Sequence, residues 1–491
     1  MNIVTAALLP FWLMMLWRGG RHAFLILAIL APLMNSAAFG HGGAITVPWV
    51  ASLLFVGTTL ISRGAWGHAK TLLRQREFQL ICLVPLVNFV VVMLSQIFYE
   101  GKIRVLVGEA AFTIGRELML SLFPQHINQM VYSVAAPLLV CAVFCNLAMA
   151  RERGEDVEKI ALDFFVFYAV SAITIILWER VHQITGIWYW SDMFHSTYSM
   201  TAWMQSVNGI ARLSGSYPEP SSLAYHLGPL AVMFVWLSYY KSYYYGLLAI
   251  LAAVIMFIST STTAYIGIGL VGLSAGLLFL RWCLEGLGSV KEGASERALF
   301  SLGAATCIFL ILGVVAMQNA AFVEQMLQSL LTKHESSSYQ ARSYADALGV
   351  SAFLDTNGLG VGLGGHLTNS GALLIMSNLG IAGIVLVGSL VIIAAMRVFV
   401  DHSASRRLGL SGKNVSTSRL RIPVTAALLT FLVTHSLTAP LFISPLLWVS
   451  VGVFLYVSCD IRAAARVATS SKQMSRSRRG VAVAFAENRG L

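Results

Sequence analysis

Residues 372–396 read ALLIMSNLGIAGIVLVGSLVIIAAM, a run without a single charged side chain. A helix of roughly 20 apolar residues crosses the hydrocarbon of a bilayer. Only helices and closed barrels can do so with every peptide group hydrogen-bonded, and this run lacks the polar–apolar alternation of a barrel strand. It therefore predicts a membrane-spanning helix. Comparable stretches lie at 3–17, 23–39, 45–62, 79–98, 129–149, 160–178, 223–239, 243–259, 263–281, 299–317, 423–438 and 441–459. Together they predict an all-α, polytopic transmembrane bundle of about 13 spans, 12–14 at the bounds. The first stretch is short and carries Pro10, and no lysine or arginine precedes Arg18. It does not read as a cleavable signal peptide, which needs a basic start.

Composition agrees with that reading. Of 491 residues 57% are hydrophobic and 11% charged, with mean hydropathy +0.74. Soluble domains average about 25% charged residues, so a soluble enzyme, a disordered chain and a nucleic-acid binder are excluded. The six cysteines (Cys82, Cys141, Cys145, Cys283, Cys307 and Cys459) fall in or beside apolar stretches. Their spacing gives neither a disulfide framework nor a metal site.

The net charge of +11 follows from topology. With the C-terminus placed in the cytoplasm and the spans alternating, 26 of the 33 lysines and arginines fall inside. The outer segments keep Lys102, Arg104, Arg116, Arg180, Arg212, Lys333 and Arg342. This is the positive-inside pattern. It predicts a multi-pass membrane protein, with residues 1–460 as the membrane unit and 461–491 as a basic cytoplasmic tail. Attraction of that tail to anionic lipid is a second use of its charge.

Three outer loops are long, at about 99–128, 180–222 and 318–371, and loops of that length in a compact protein are usually functional or disordered. In the first, IRVLVGEAAFTIGRELMLSLF (103–123) places apolar residues three and four apart. This predicts an amphipathic interfacial helix with Glu100, Lys102, Arg116 and Glu117 toward water. The second contains WERVHQITGIWYWSDMFHSTY (178–198) and NGIARLSGSYPEPSSLAYHLGP (208–229). Trp188, Tyr189, Trp190 and Trp203 fit an interfacial aromatic belt or stacking platforms for sugar rings. Arg212 and Glu219 sit among Gly215, Pro218 and Pro220 in a turn-rich segment. Charges this near a bilayer are costly unless paired or used, so both are candidate site residues.

Ser259, Thr260, Ser261, Thr262 and Thr263 form an unbroken hydroxyl run between two spans. Such a run caps helix ends, bonds between helices or presents donors to an anion. The third loop includes Arg342 on SYQARSYADALGVSAFL and a glycine-rich stretch, Gly358 to Gly365, ahead of His366 and Asn369. Its spacing matches no nucleotide-binding fingerprint. It reads as a tight turn delivering His366 and Asn369 to the mouth of the following span.

These residues together resemble the Wzy-type O-antigen and exopolysaccharide polymerases and the related O-antigen ligases. The resemblance covers the dozen or so spans with large periplasmic loops. Its local carriers are R-x-x-G-x-x-x-E-P-S over Arg212 to Ser221, the hydroxyl run, and the Arg342 … N-G-L-G-x-G … H-x-x-N-S pattern ending at Ser370. One departure is plain: relatives often carry an arginine just after the hydroxyl run, where this chain has Thr262 and Thr263.

The resemblance implies a GT-C-like fold and a glycosyltransferase that uses a polyprenyl diphosphate-linked oligosaccharide, such as an undecaprenyl diphosphate glycan. Membrane lipid and a flippase and chain-length regulator of the same pathway are the implied partners, with no nucleic acid and no cofactor. Displacing a diphosphate suits arginine, which pairs phosphates bidentately. Arg212 and Arg342 are the expected diphosphate ligands, with Ser259, Thr260, Ser261, Asn369, Trp188 and Trp190 also substrate-binding. His366 is the expected general base and Glu219 the alternative. No D-x-D motif occurs, and the reaction is expected to be metal-independent and inverting. The alternatives are ligase-type transfer to another acceptor and a lipid-linked oligosaccharide flippase. The latter would favour internal repeats and midplane polar groups, and no repeat is visible.

Overall fold

The computed structural model describes residues 3–18, 20–38, 46–107, 117–195, 206–207, 210–259, 261–286, 324, 337–408, 418–438 and 444–459. The expected span at 299–317, the first part of the third loop, Thr260, Trp203 and the basic tail lie outside them. The helices are α1 (Ile3–Arg18), α2 (Gly20–Leu30), α3 (Val47–Leu60), α4 (Ala65–Leu73), α5 (Arg76–Tyr99), α6 (Pro124–Glu152), α7 (Val157–Thr185) and the short α8 (Ser191–Phe194). They continue with α9 (Pro220–Tyr240), α10 (Tyr243–Ile258), α11 (Thr262–Gly286), α12 (Ser337–Asp355), α13 (Gly371–Leu408), α14 (Ser418–Thr438) and α15 (Pro445–Cys459). Two small antiparallel pairs complete the described chain: β1 (Arg104–Val105) with β2 (Leu118–Met119), and β3 (Ser206–Val207) with β4 (Ile210–Ala211).

The chain is thus an all-α bundle. Among the described residues six helices are long and apolar enough to cross a membrane, seven if the bent pair α3–α4 counts as one span. Five further apolar helices are shorter. Helices apolar on every side belong in the interior of a bundle. Accordingly, α6 and α9 are 83% and 94% buried along their apolar stretches. By contrast, α5 and α13, with 33% and 22%, show apolar residues such as Leu86, Phe89, Ile384 and Val385 on the outside. The central packing is aromatic: Phe24 of α2 stacks on Phe164 of α7 at 4.7 Å between centroids.

Two expectations are corrected here. The stretch 23–39 is helical only to Leu30, because Pro32 lacks the N–H that a continuing helix needs. Residues 31–38 leave the helix yet stay buried, and non-helical backbone at such depth persists only inside protein. Its partners are the amide of Asn35 to Ser216 O (2.8 Å), Ser216 Oγ to Pro32 O (2.7 Å) and the amide of Val47 to Ser36 O (2.9 Å). The described parts of 103–123 are extended rather than helical; 108–116 lie outside the described residues. The β-branched Ile103, Val105 and Val107 are buried with Leu120, Ala352 and Val361, a cluster that favours a strand over a surface helix.

The glycine-rich stretch is a backbone strap. Helix α13 breaks at Gly380 (φ 62°, ψ −153°), which opens its hydrogen-bond ladder for one turn. The strap closes it: Val361 N donates to Ser377 O (3.0 Å), Gly362 N to Asn378 O (2.8 Å), and Ile381 N donates to Gly358 O (2.9 Å). Approach this close excludes side chains. A Cβ on Gly360 would lie 2.6 Å from Asn378 O, and Gly360 itself has φ +86°. Asn88 of α5 accepts from Leu363 N (2.8 Å), and His126 of α6 accepts from Phe123 N (3.1 Å) and donates to Val361 O (3.1 Å). The strap therefore ties α5, α6 and α13 together.

Candidate active site

The 31–38 segment, both strand pairs, α12 and the strap gather at one end of the bundle, and there the loop 212–219 carries the two charged residues singled out from sequence. Its path is fixed by α7. Glu179, fully buried, accepts from the amides of Ser214 (3.1 Å) and Gly215 (2.6 Å) through one carboxylate oxygen. Gly215 has φ +62°, and a Cβ there would strike Ile176 Cγ1 at 2.5 Å, so only glycine fits the turn. Tyr189 donates to Gly215 O (3.2 Å), and the Tyr217 hydroxyl meets that of Tyr168 at 3.2 Å. His195, buried in the same wall, accepts from Asn35 Nδ2 (3.1 Å). Burial pushes its pKa down to about 4, against a hydrogen bond to Gly215 that raises it.

This clamp sets Arg212 and Glu219 on one side of the loop. Glu219 is the N-cap of α9 in extended geometry (φ −146°, ψ 156°), the conformation that a following proline favours. Pro220 then starts the helix without wasting an N–H. A carboxylate at that position also faces the positive end of the helix dipole. Arg342 reaches across from α12 to Glu219, Nη2 to Oε2 at 3.3 Å, and Ser221 Oγ donates to the same oxygen at 2.9 Å. Arg212 is partly buried beside them. Burial lowers its pKa most, Glu219 raises it, Arg342 lowers it and Tyr265 of α11 raises it. The two guanidinium groups therefore stand near enough to repel, with Glu219 paired to Arg342 and near enough to attract Arg212, and Tyr265 of the first turn of α11 alongside.

Asp346, one turn along α12 from Arg342, continues the cluster. It accepts from the amide of Asn369 (2.8 Å). Burial pushes its carboxyl up, while the amides of Asn369 and Ser370 and the charge of Arg342 hold it back. Asn369 thus belongs to the edge of the site through its backbone. Ser370 Oγ donates to Ser436 O (2.6 Å), which joins this edge to α14.

His366 is placed differently from its expected role. Its ring is buried; Nδ1 accepts from Leu106 N (3.1 Å), so Nε2 carries the proton and donates to Ala345 O (2.9 Å). Burial lowers its pKa, and the Ala345 bond raises it. The lone pair that a general base needs is thereby occupied by a peptide N–H, and the ring serves as an anchor between β1, α12 and the strap. Two described members of the hydroxyl run bond within the chain at the ends of α10 and α11. Ser259 Oγ donates to Met256 O (2.7 Å) at the end of α10, and Ser261 O accepts the first bond of α11, from Tyr265 N (3.2 Å).

Trp188 and Trp190 are 61% and 45% exposed and pack on each other edge-to-face at 5.0 Å and on Trp178. Among the described residues their ring contacts are with aromatic neighbours at the end of α7, not with Arg212 or Arg342. Sequence reasoning passed over Glu179, Tyr265 and Asp346. Only Glu179 carried a signal, as a lone acid at the end of an apolar stretch.

Among the described residues no group of three or more His, Cys, Asp or Glu is placed to hold a metal ion. A scan against models of known protein families finds no match to this chain, and a search of curated proteins finds none either.

Proposed function

We propose that this protein is a glycosyltransferase of the bacterial inner membrane, a polysaccharide polymerase that moves a growing glycan from a polyprenyl diphosphate carrier to a lipid-linked repeat unit. The observation that carries the reading is the meeting of Arg212, Glu219 and Arg342 at one end of an apolar bundle. A diphosphate bound at that end would set its charge against these groups, and planar guanidinium pairs are suited to it. The loop-bearing end is then periplasmic and the C-terminus cytoplasmic, as the distribution of lysine and arginine favours. A GT-C-like arrangement belongs to the same proposal.

In the reaction, an acceptor sugar hydroxyl attacks the anomeric carbon, the bond from that carbon to the diphosphate oxygen breaks, and polyprenyl diphosphate leaves. Arg212 and Arg342 neutralise the charge that develops on the leaving group, the kind of fixed electrostatic stabilisation that dominates many enzymes. Glu219 takes the hydroxyl proton. Its contacts with Arg342 and Ser221 both fall on Oε2. A diphosphate oxygen arriving at Arg342 replaces that carboxylate and frees it as base, so donor binding activates the acceptor side.

The test is reconstitution of the purified protein with a defined lipid-linked repeat and analysis of the products on a gel. Arg212→Ala and Arg342→Ala should each remove polymer by 100-fold or more while the protein stays in the membrane. Full-length polymer from both variants would reject the site. A product attached to another lipid or protein acceptor instead of a lengthened repeat would assign the chain as a ligase.

A further inference from the structure

The opposite end of the bundle carries a second feature, which the proposed reaction does not use. Helix α3 ends at Leu60 and α4 departs at 107° to it, turned by Gly64 in the left-handed conformation (φ +97°). Ala65, Ala69 and Leu72 form the buried stripe of α4 against α6, where Cys145 Sγ meets Ala65 O (3.4 Å). His68 reaches Glu152 at the end of α6 (3.2 Å), which fixes α4 at the level where that span finishes.

The remaining surface of α4 is unusual for an element past the end of a span. Trp66 and Leu73 are 71% and 51% exposed, and Ile61 just before the bend is 85% exposed. Trp66, Lys70 and Leu73 share one helical face by their spacing. Arg63, Arg74 and Arg76 flank them and are exposed, as is Lys70. Among the described residues none of these four cations is held in an ion pair. Apolar side chains between unpaired cations, on a helix lying across the bundle end, are the signature of an interfacial element. Tryptophan at the headgroup level and cations facing acidic lipid each add to such contact.

We infer that α4 and its flanks form a binding site for anionic phospholipid headgroups, with Arg63, Lys70 and Arg74 meeting the phosphate and Trp66, Ile61 and Leu73 inserted beside the acyl chains. The site is independent of the transfer reaction and lies at the other end of the molecule. Charge complementarity selects the occupant, since a zwitterionic headgroup returns no net attraction to three unpaired cations.

The experiment is native mass spectrometry of the detergent-purified full chain titrated with phosphatidylglycerol or phosphatidylcholine. The wild type should retain phosphatidylglycerol at least tenfold more tightly. The triple variant Arg63→Gln/Lys70→Gln/Arg74→Gln should lose that preference, at up to about fivefold for each cation near the surface. A second variant, Arg153→Gln/Lys159→Gln, removes exposed cations of the α6–α7 turn at the same end and should keep the preference. Equal retention of both lipids by the wild type, an undiminished preference in the triple variant, or an equal loss in the turn variant would each overturn the inference. Displacement of the lipid by millimolar inorganic phosphate would also overturn it, because the ligand would then be a free anion. All substituted side chains are exposed, and an unchanged gel-filtration profile confirms that the variants are folded.

Discussion

Removing the carboxylate of Glu179 should loosen the loop that presents Arg212 and Glu219. The carboxylate receives two amide hydrogen bonds, from Ser214 at 3.1 Å and Gly215 at 2.6 Å, in a fully buried setting. A buried donor left without a partner costs about 1–3 kcal/mol, so Glu179→Ala, which strands two, should destabilise the closed loop by about 2–6 kcal/mol. At about 1.4 kcal/mol per factor of ten, opening of the loop rises by roughly 30-fold or more. Hydrogen exchange reads this directly: amides of the 212–219 peptide should exchange faster by that factor, while peptides in α9 away from the loop keep their protection. Glu179→Gln retains an acceptor oxygen and loses only the charge assistance, which doubles the strength of such a bond at most. Its exchange should rise by about tenfold or less. In the transfer assay the alanine variant should lose rate in step with loop opening, with the glutamine variant between it and the wild type. Wild-type exchange at 212–219 in Glu179→Ala would refute the clamp, whatever the effect on polymer.

Three further outcomes are expected. Gly360→Ala and Gly364→Ala place a methyl against the peptide groups of Asn378 and Gln125 at positive φ, which should cost about 2–4 kcal/mol each and lower the melting temperature; wild-type melting would contradict the close packing of the strap. His366→Ala strands the Leu106 amide and the Ala345 carbonyl, so thermal stability should fall by about 2–4 kcal/mol, and a variant with unchanged stability but no transfer would restore the base assignment. His195 has its folded pKa pushed from 6.5 to about 4; between those values the unfolded chain binds the proton and the folded one does not, so stability is present above pH 6.5 and falls by about 3 kcal/mol as pH drops toward 4. The slope of melting temperature with pH in that window should flatten in His195→Gln, and an unchanged slope would refute the assignment.

The membrane bundle was legible because apolar runs carry their own length scale, and α5, α6, α7 and α13 lie where those runs place them. The stretch 23–39 misled because burial inside protein and burial in lipid select the same side chains. Only Pro32 marked the place where helix gives way to a buried loop. In 103–123 the three-and-four spacing of apolar residues competed with an Ile–x–Val–x–Val alternation, and contacts with Ala352 and Val361 from far along the chain decided for extended backbone. Arg212 and Glu219 were legible as charges too costly to lie idle near a bilayer, whereas Arg342 was singled out only through the resemblance. That Glu219 and Arg342 touch, 123 residues apart, was not. His366 shows why residue type alone fails: its chemistry depends on which atoms meet the two ring nitrogens, and those belong to residues 106 and 345.

The break in α13 has a consequence for how the protein is made. Residues 358–362 supply partners for the peptide groups of residues 377, 378 and 381, yet they are translated before that helix begins. They must already be waiting at that end of the bundle when the helix is inserted. Until they dock, the nascent helix carries open peptide groups in hydrocarbon, a state costly enough to hold the segment near the translocation channel. Insertion of this helix and folding of the preceding loop are then a single event, and a strap variant should betray itself first as a slowly integrating chain, before any defect in the finished molecule is measured.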